Sequence, residues 1–123
     1  VKAKETDIDS TSLSKLDKEF IHKINLLVEQ NLNNEDFDIL DITQSMGVSR
    51  SLLHTKMKNL MNISMGNYIR MKRLDKACEM LKEGYNVSET AYSTGFSDPN
   101  YFSKAFKKYK GISPTEYIEK VKI

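Results

Sequence analysis

The chain has 123 residues, 39% hydrophobic and 29% charged, which is enough for one domain or two small subdomains with a core. No stretch approaches the roughly 18 apolar residues of a membrane span, no apolar run near residue 1 indicates a secretory signal, and a single cysteine excludes an internal disulfide, so we expect a cytoplasmic location without membrane contact. The net charge of +2 is too modest to indicate a nucleic-acid partner by itself.

The first third of the chain predicts a linker followed by two helices. Residues 1–12 are polar and lack periodicity, so we expect a disordered linker there. Apolar residues then recur at helical spacing and predict an amphipathic helix over about 14–31, in which Ser14 and Asp17 form a capping pair. A polar loop at 33–36 separates this helix from a short one near 39–46.

The middle of the chain predicts a helix of three turns followed by a longer one. Gly47 ends the short helix with a left-handed backbone, and Ser49 caps the next helix, over 50–61. Asn62 closes that helix, because Asn tolerates positive φ better than most residues. A long helix follows over about 65–83 and stops at Gly84. Its predicted inner face carries Ile69, Leu74, Ala77, Cys78 and Leu81.

The last third predicts a turn between two helices and then a final short helix. A helix over 87–94 meets Gly95, and a lysine-rich helix over 98–110 begins with Pro99 in its first turn. Gly111 stops it, and Ser113 caps the last helix. No run alternates long enough to predict a strand, so the predicted class is all-α with about seven helices.

An internal repeat relates these segments across about 48 residues. With one residue inserted in the second turn, the aligned pairs are Gly47 with Gly95, Leu53 with Phe102, Met57 with Phe106 and Tyr68 with Tyr117. Such a repeat indicates two copies of one supersecondary unit. A short helix, a glycine turn and a second helix form a helix-turn-helix, whose second helix enters the DNA major groove. We call the two predicted second helices, 50–61 and 98–110, the reading helices.

The repeat predicts three structural parts after the linker: a first helix-turn-helix subdomain over 13–63, a linker helix over 64–84 and a second subdomain over 85–123. Charge is also distributed unevenly along the chain. Residues 1–45 carry five lysines and ten acidic residues, a net charge of −5, whereas residues 46–123 carry fourteen basic and seven acidic residues, a net charge of +7. The basic excess therefore coincides with the reading helices, where a polyanion would need it. The alternative is ordinary surface charge.

Fixed-spacing residues in the second half resemble the DNA-binding domain of the AraC/XylS family of bacterial transcription regulators. They are Ala91, Gly95, Phe96, Tyr101, Phe102, Phe106, Lys107, Lys108, Gly111, Pro114 and Tyr117. The first half fits less well, since Thr43 stands where the second copy has Ala91, Asn62 replaces a glycine, and Met65 stands in the place of Pro114. The resemblance covers about residues 20–121. It implies double-stranded DNA as the partner and two helix-turn-helix subdomains that share the linker helix.

The opening of the chain is also similar to the output domains of hybrid two-component regulators, in segments 16–20 and 31–37. This resemblance implies a larger parent protein that has a receiver domain and histidine kinase activity and an anchor in the inner membrane. The fragment itself is then a C-terminal output domain, expected to be monomeric and to contact RNA polymerase.

Side chains on the outer faces of the reading helices are the candidate DNA contacts. In the first, Leu52 or Leu53 faces inward together with Met57 and Leu60 by spacing. In this family, the side chains at the positions that match Ser51, His54, Thr55 and Lys104 commonly face DNA bases. The full set of expected base contacts is Ser51, His54, Thr55, Pro99, Asn100, Ser103 and Lys104, and the expected phosphate contacts are Arg50, Lys58, Lys107 and Lys108. The alternative for each lysine is a solvated helix surface.

Two rival functions follow from the same residues. An enzyme is disfavoured, because the chain has two histidines on different predicted helices, one cysteine and no glycine-rich phosphate loop. We therefore expect no catalytic residue, metal or cofactor, with Cys78 as an inert core thiol. The second rival is a protein-interaction module derived from a helix-turn-helix, with weak or no DNA binding, which would use the acidic first helix. Six aromatic residues of the second half are expected to pack mostly in the core: Phe96, Tyr101, Phe102, Phe106, Tyr109 and Tyr117.

Overall fold

A computed structural model of the protein describes residues 14–122. Over that range the chain forms seven helices and no strand, which confirms the all-α prediction: α1 (Lys15–Gln30), α2 (Ile39–Met46), α3 (Arg50–Met61), α4 (Met65–Lys82), α5 (Val87–Ser93), α6 (Pro99–Lys110) and α7 (Pro114–Val121). The linker predicted over 1–12 lies outside the described residues. None of the seven helices has the length and apolar character needed to cross a membrane.

Side chains with short polar groups fix where the helices begin. Asp38, Asn86 and Ser113 each form a capping box with the acidic residue three positions later. Ser14 accepts a hydrogen bond from the backbone N–H of Asp17 at 3.1 Å, as the predicted capping pair requires. These local bonds satisfy amides that lack a partner inside their own helix, so the capping sequences determine the helix starts.

Left-handed residues end both reading helices. Asn62 follows α3 at φ 56° and Gly111 follows α6 at φ 87°, and each donates its backbone N–H to a carbonyl of the preceding turn. Asn62 is the positive-φ residue other than glycine in the described part of the chain. The asparagine thus performs the function of the glycine expected from the family resemblance.

By its internal contacts the chain divides into two compact units. The first comprises residues 14–30 and 38–68, and the second comprises residues 31–37 and 69–122. The sequence-based division at 63 and 84 differs from this in two respects. The contact-based boundary falls inside α4, and the loop 31–37, which precedes α2 in the chain, belongs to the second unit.

The first unit has a mainly aliphatic core. Ile24 and Val28 of α1 are buried, as are Ile42 of α2 and the α3 residues Leu53 and Met57. Burial of such side chains contributes roughly 1.5–3 kcal/mol each, so these five positions hold α1, α2 and α3 in place.

Thr43 occupies the buried position on α2 where the second unit has Ala91. Its hydroxyl donates a hydrogen bond to the carbonyl oxygen of Leu40 at 2.9 Å. A buried hydroxyl without a partner would be destabilising, and this bond within α2 supplies one. The β-branched hydroxyl residue is therefore accommodated without a polar partner from another helix.

The second unit has an aromatic core built on the predicted inner face of α4. Phe96, Phe102 and Phe106 are buried together with the α4 face. Their ring centroids lie 5.1 Å (Phe96–Phe102) and 5.7 Å (Phe102–Phe106) apart, and Phe106 meets Tyr117 edge-on at 5.4 Å. Such tilted pairs add about 0.5–1.5 kcal/mol each beyond the area they bury.

Two tyrosines of the predicted aromatic core lie at its edge instead. The side chain of Tyr101 is 50% exposed and that of Tyr109 is 41% exposed. The Tyr109 hydroxyl donates a 2.5 Å hydrogen bond to the carboxylate of Asp75 on α4. The physical reason is the phenol group: it needs a polar partner or water, which a position at the rim of the core provides.

The loop 31–37 packs on the turn of the second helix-turn-helix. Arg73 of α4 donates a hydrogen bond from its guanidinium to the carbonyl oxygen of Asn34 at 2.8 Å. A Cβ added at Gly95, which has φ 88°, would lie 2.5 Å from the carbonyl oxygen of Leu32 and 2.8 Å from Nε of Arg73. Burial lowers the pKa of Arg73. Arg73 therefore fixes the loop to the turn.

Candidate nucleic-acid interface

The first reading helix, α3, is anchored from one side and open on the other. Leu53 and Met57, four residues apart, are buried, which turns the opposite face outward. All five side chains predicted to face outward are exposed: Arg50, Ser51, His54, Thr55 and Lys58. Ser51, Thr55 and Lys58 follow one another at spacings of four and three, so they form a single row along the helix.

Lys56 lies on the side of α3 that faces α1. Its ammonium group is 3.0 Å from the Asp17 carboxylate and 5.3 Å from the centroid of the Phe20 ring. The hydrogen bond from Lys56 lowers the pKa of Asp17. This lysine attaches α3 to α1 of the same unit and is not one of the candidate DNA contacts.

The second reading helix, α6, repeats the arrangement with different residues. Phe102 and Phe106 are buried on one side, and Asp98 caps the helix start by accepting a hydrogen bond from the backbone N–H of Asn100 at 2.9 Å. The predicted contacts Asn100, Lys104, Lys107 and Lys108 are all exposed, whereas Pro99 and Ser103 are half-buried. The exposed face of α6 is thus longer-reaching and more basic than that of α3.

These side chains supply the chemistry that DNA recognition needs. An asparagine amide matches the paired donor and acceptor of adenine in the major groove, and a lysine ammonium group can donate to O6 and N7 of guanine. Lysines farther along the helix suit phosphate oxygens, which orient a protein on the duplex without reading its sequence. Asn100 and Lys104, which are exposed on α6, have the chemistry of the first role, and the exposed Lys107 and Lys108 have that of the second.

Sequence reasoning left open which of two adjacent leucines of α3 faces inward, and the structure decides it. Leu53 is buried, whereas the side chain of Leu52 remains 43% exposed on the reading helix. Spacing carried a usable signal, because Leu53, Met57 and Leu60 are separated by four and three residues and Leu52 breaks that rhythm. The repeat places Tyr101 at the position of Leu52, and Tyr101 is exposed as well.

No group of three or more histidine, cysteine, aspartate or glutamate side chains between residues 14 and 122 is arranged to hold a metal ion. Cys78 is buried in the core of the second unit, and this burial raises the pKa of its thiol. A buried thiol with a raised pKa is a poor nucleophile, so Cys78 acts as a core residue.

Comparison with known proteins gives the family. Residues 42–120 match the profile of a family described as a helix-turn-helix domain, a range that includes both reading helices. Histidine kinase P4 from Formosa agariphila is 35% identical over 94% of this chain, which spans 8% of that protein's length.

Two solved structures share the fold. The C-terminal domain of the two-component response regulator yesN from Fusobacterium nucleatum superposes with a TM-score of 0.77 at 28% identity, covering 81% of this chain and 98% of that one. A transcriptional regulator with an AraC-type DNA-binding domain from Chromobacterium violaceum gives a TM-score of 0.75 at 25% identity, covering 81% and 89%. The chain therefore belongs to the AraC-type helix-turn-helix family of DNA-binding transcription regulators.

Proposed function

We propose that this domain reads a bipartite DNA site with both of its reading helices, α3 and α6, in adjacent major grooves. The observation that supports this most directly is that each helix buries two anchors on one side and exposes the polar residues predicted as contacts on the other. The linker helix α4 has 18 residues and is about 27 Å long, comparable with the roughly 34 Å of one DNA turn.

The proposed division of roles follows side-chain chemistry. Base contacts are assigned to Ser51, His54, Thr55, Asn100 and Lys104, with shorter-range contacts from the half-buried Pro99 and Ser103. Phosphate contacts are assigned to Arg50, Lys58, Lys107 and Lys108, whose charges would displace counterions from the duplex. Each phosphate neutralised in this way makes the affinity fall more steeply with salt concentration.

We further propose that the domain is the output part of a larger two-component signalling protein. The similarity to a small part of histidine kinase P4, and to the C-terminal domain of a response regulator, supports this assignment. In that parent a receiver domain would be covalently linked, kinase activity would reside elsewhere in the chain, and an anchor in the inner membrane would leave this domain in the cytoplasm. The domain itself would bind DNA as a monomer without catalysing a reaction, and would contact RNA polymerase.

The test is selection of bound sequences from a random duplex library at about 100–150 mM salt, a range in which nonspecific contacts are already weakened. Two short motifs about 10 base pairs apart, one helical turn, would support the two-headed proposal. One motif would mean that one reading helix only positions the protein.

A charge-matched control separates DNA reading from general charge attraction. Lys104→Ala should alter the selected motif, whereas Lys18→Ala, an exposed lysine of α1, should leave it unchanged. If no motif is enriched and binding shows no steep salt dependence, the domain is an interaction module instead, and α1 becomes the surface to probe.

A further inference from the structure

We propose that Leu52 is a base-reading residue of the first reading helix and that its ligand is the C5-methyl group of a thymine. The inference rests on the proposed DNA-reading function of α3 and adds a specificity determinant to it. Leu52 is the third residue of α3, and the N-terminal residues of a recognition helix are those that contact base edges.

The position of Leu52 follows from its neighbours. Leu53 takes the core position, and its immediate predecessor is turned away from the core. Ser51, just before it, and Thr55, three residues later, are both exposed on the face predicted to meet DNA. Lys56, one turn after Leu52, contacts Asp17 and Phe20 of α1, so Leu52 lies along the edge between the reading face and α1.

The chemistry of the surrounding surface favours an apolar ligand in the groove. Ser51 and Thr55 are short and allow the helix backbone to approach the bases, and Leu52 then projects farther than either. The thymine methyl is the apolar group that the major groove presents, and cytosine carries no methyl at this position. A leucine that is 43% exposed in the free domain can bury its remaining apolar surface there.

The repeat provides a second observation. The equivalent position in α6 carries Tyr101, whose side chain is also exposed while the next residue, Phe102, is buried. Both units therefore keep a large side chain with an apolar body at the same outward position next to their innermost anchor. The Tyr101 ring also packs against Phe96, with centroids 5.6 Å apart, whereas core packing does not explain Leu52, because Leu53 takes the core position beside it.

The experiment is a double-mutant cycle between the protein and the DNA. The operator is obtained by library selection, and each thymine in the half contacted by α3 is replaced singly by deoxyuridine, which removes the methyl group and nothing else. Affinities are measured for the unaltered chain, Leu52→Ala, Leu52→Met and Leu26→Ala. Leu26 lies on α1 and its side chain is 42% exposed, so it controls for removing a leucine of matched exposure.

We expect one deoxyuridine position at which the unaltered chain and Leu26→Ala lose about three- to fivefold in affinity, the effect of one methyl group. Leu52→Ala should bind both duplexes equally at that position, and Leu52→Met should keep part of the discrimination. The melting temperature of Leu52→Ala should stay unchanged, because Leu53 fills the core.

Equal losses in the unaltered chain and in Leu52→Ala at every position would overturn the assignment, as would a selected half-site without thymine. Both outcomes leave the proposed function standing, since a motif was selected. Failure to select any motif is a different result, which would remove the proposed function together with this inference.

Discussion

The two reading helices are held in place by equivalent positions filled with different side chains. α3 is anchored by the aliphatic Leu53 and Met57, and α6 by Phe102 and Phe106, whose rings contact other aromatic rings. All four anchors are buried. The two copies thus share the positions of their anchors but not the anchor side chains. Either type of side chain serves, provided that the surrounding core is matched to it.

The outward faces differ more than the anchors do. α3 presents two short hydroxyl side chains, a histidine and two basic residues together with Leu52, whereas α6 presents an asparagine and a row of exposed lysines. We expect α6 to supply most of the electrostatic affinity and α3 to contribute short-range contacts. Paired substitutions at equivalent positions of the two helices test this difference.

The largest effect is expected from removing an aromatic anchor. Phe106→Ala should lower the free energy of unfolding by about 3–5 kcal/mol, because it opens a cavity beside Phe102 and Tyr117. Met57→Ala, the equivalent change in α3, should cost about 2–5 kcal/mol and destabilise the first unit. Urea denaturation followed by circular dichroism measures both. Tyr92→Ala, at an exposed residue of α5, serves as the control, and an unchanged midpoint for Phe106→Ala would contradict the assigned core.

The glycines of the two turns should respond differently to the same substitution. Gly47 and Gly95 both have positive φ, so alanine strains each by roughly 1–2 kcal/mol. Nothing lies within 4 Å of a Cβ added at Gly47, whereas at Gly95 it would meet the Leu32 carbonyl oxygen at 2.5 Å. Gly95→Ala should therefore be more destabilising than Gly47→Ala by about 1–3 kcal/mol, the range for overpacking. Equal thermal shifts would mean that the loop 31–37 does not press on the turn.

A smaller effect, on binding, is expected from the base-reading candidates. Lys104→Ala should weaken binding to the selected site by about 1–3 kcal/mol and relax the preference at one position. Thr55→Ala, the change at the equivalent outward position of α3, should weaken it less, because a threonine hydroxyl makes a single short contact. Titration of the selected duplex and of a set with single base changes distinguishes the two. A uniform loss on all duplexes would make Lys104 a phosphate contact.

The smallest effect should appear in the salt dependence. Lys107→Ala should reduce the slope of the logarithm of affinity against the logarithm of salt concentration by about one, with the same loss on every sequence. Lys76→Ala, on α4 and 3.6 Å from Glu79, should leave the slope unchanged. A sequence-dependent loss for Lys107→Ala would move it to the base-reading group.

Local sequence signals were sufficient for the helices. Gly47, Asn62 and Gly111 end helices where their conformational preferences predict, and Ser49 and Ser113 begin them as caps. Helical spacing also identified the inner face of α4, the outward residues of α3 and four of the six predicted for α6, since Pro99 and Ser103 are half-buried. These features depend on residues within a few positions of one another, which is why the sequence carries them. The DNA roles of the outward residues stay predictions.

Contacts between distant parts of the chain were not accessible in this way. Arg73 donates to the backbone carbonyl oxygen of Asn34, which lies 39 residues earlier and is a group that every residue type possesses. Tyr109 has core-like spacing, three residues after Phe106, but the hydrogen bond from its hydroxyl group to Asp75 keeps it at the rim. In both cases a polar group bonds to a residue that is distant in the sequence and is brought near only by the tertiary fold.

The membership of loop 31–37 in the second unit has a consequence for how such domains can be cut or recombined. A gene segment that encodes only residues 69–122 carries α6 and its aromatic core but leaves the Arg73 guanidinium without the Asn34 carbonyl. Exchange of C-terminal halves between relatives would separate the turn at Gly95 from the backbone shaped to fit it. The two reading helices repeat along the chain, but the smallest inheritable piece that keeps the second one intact extends back to the end of α1.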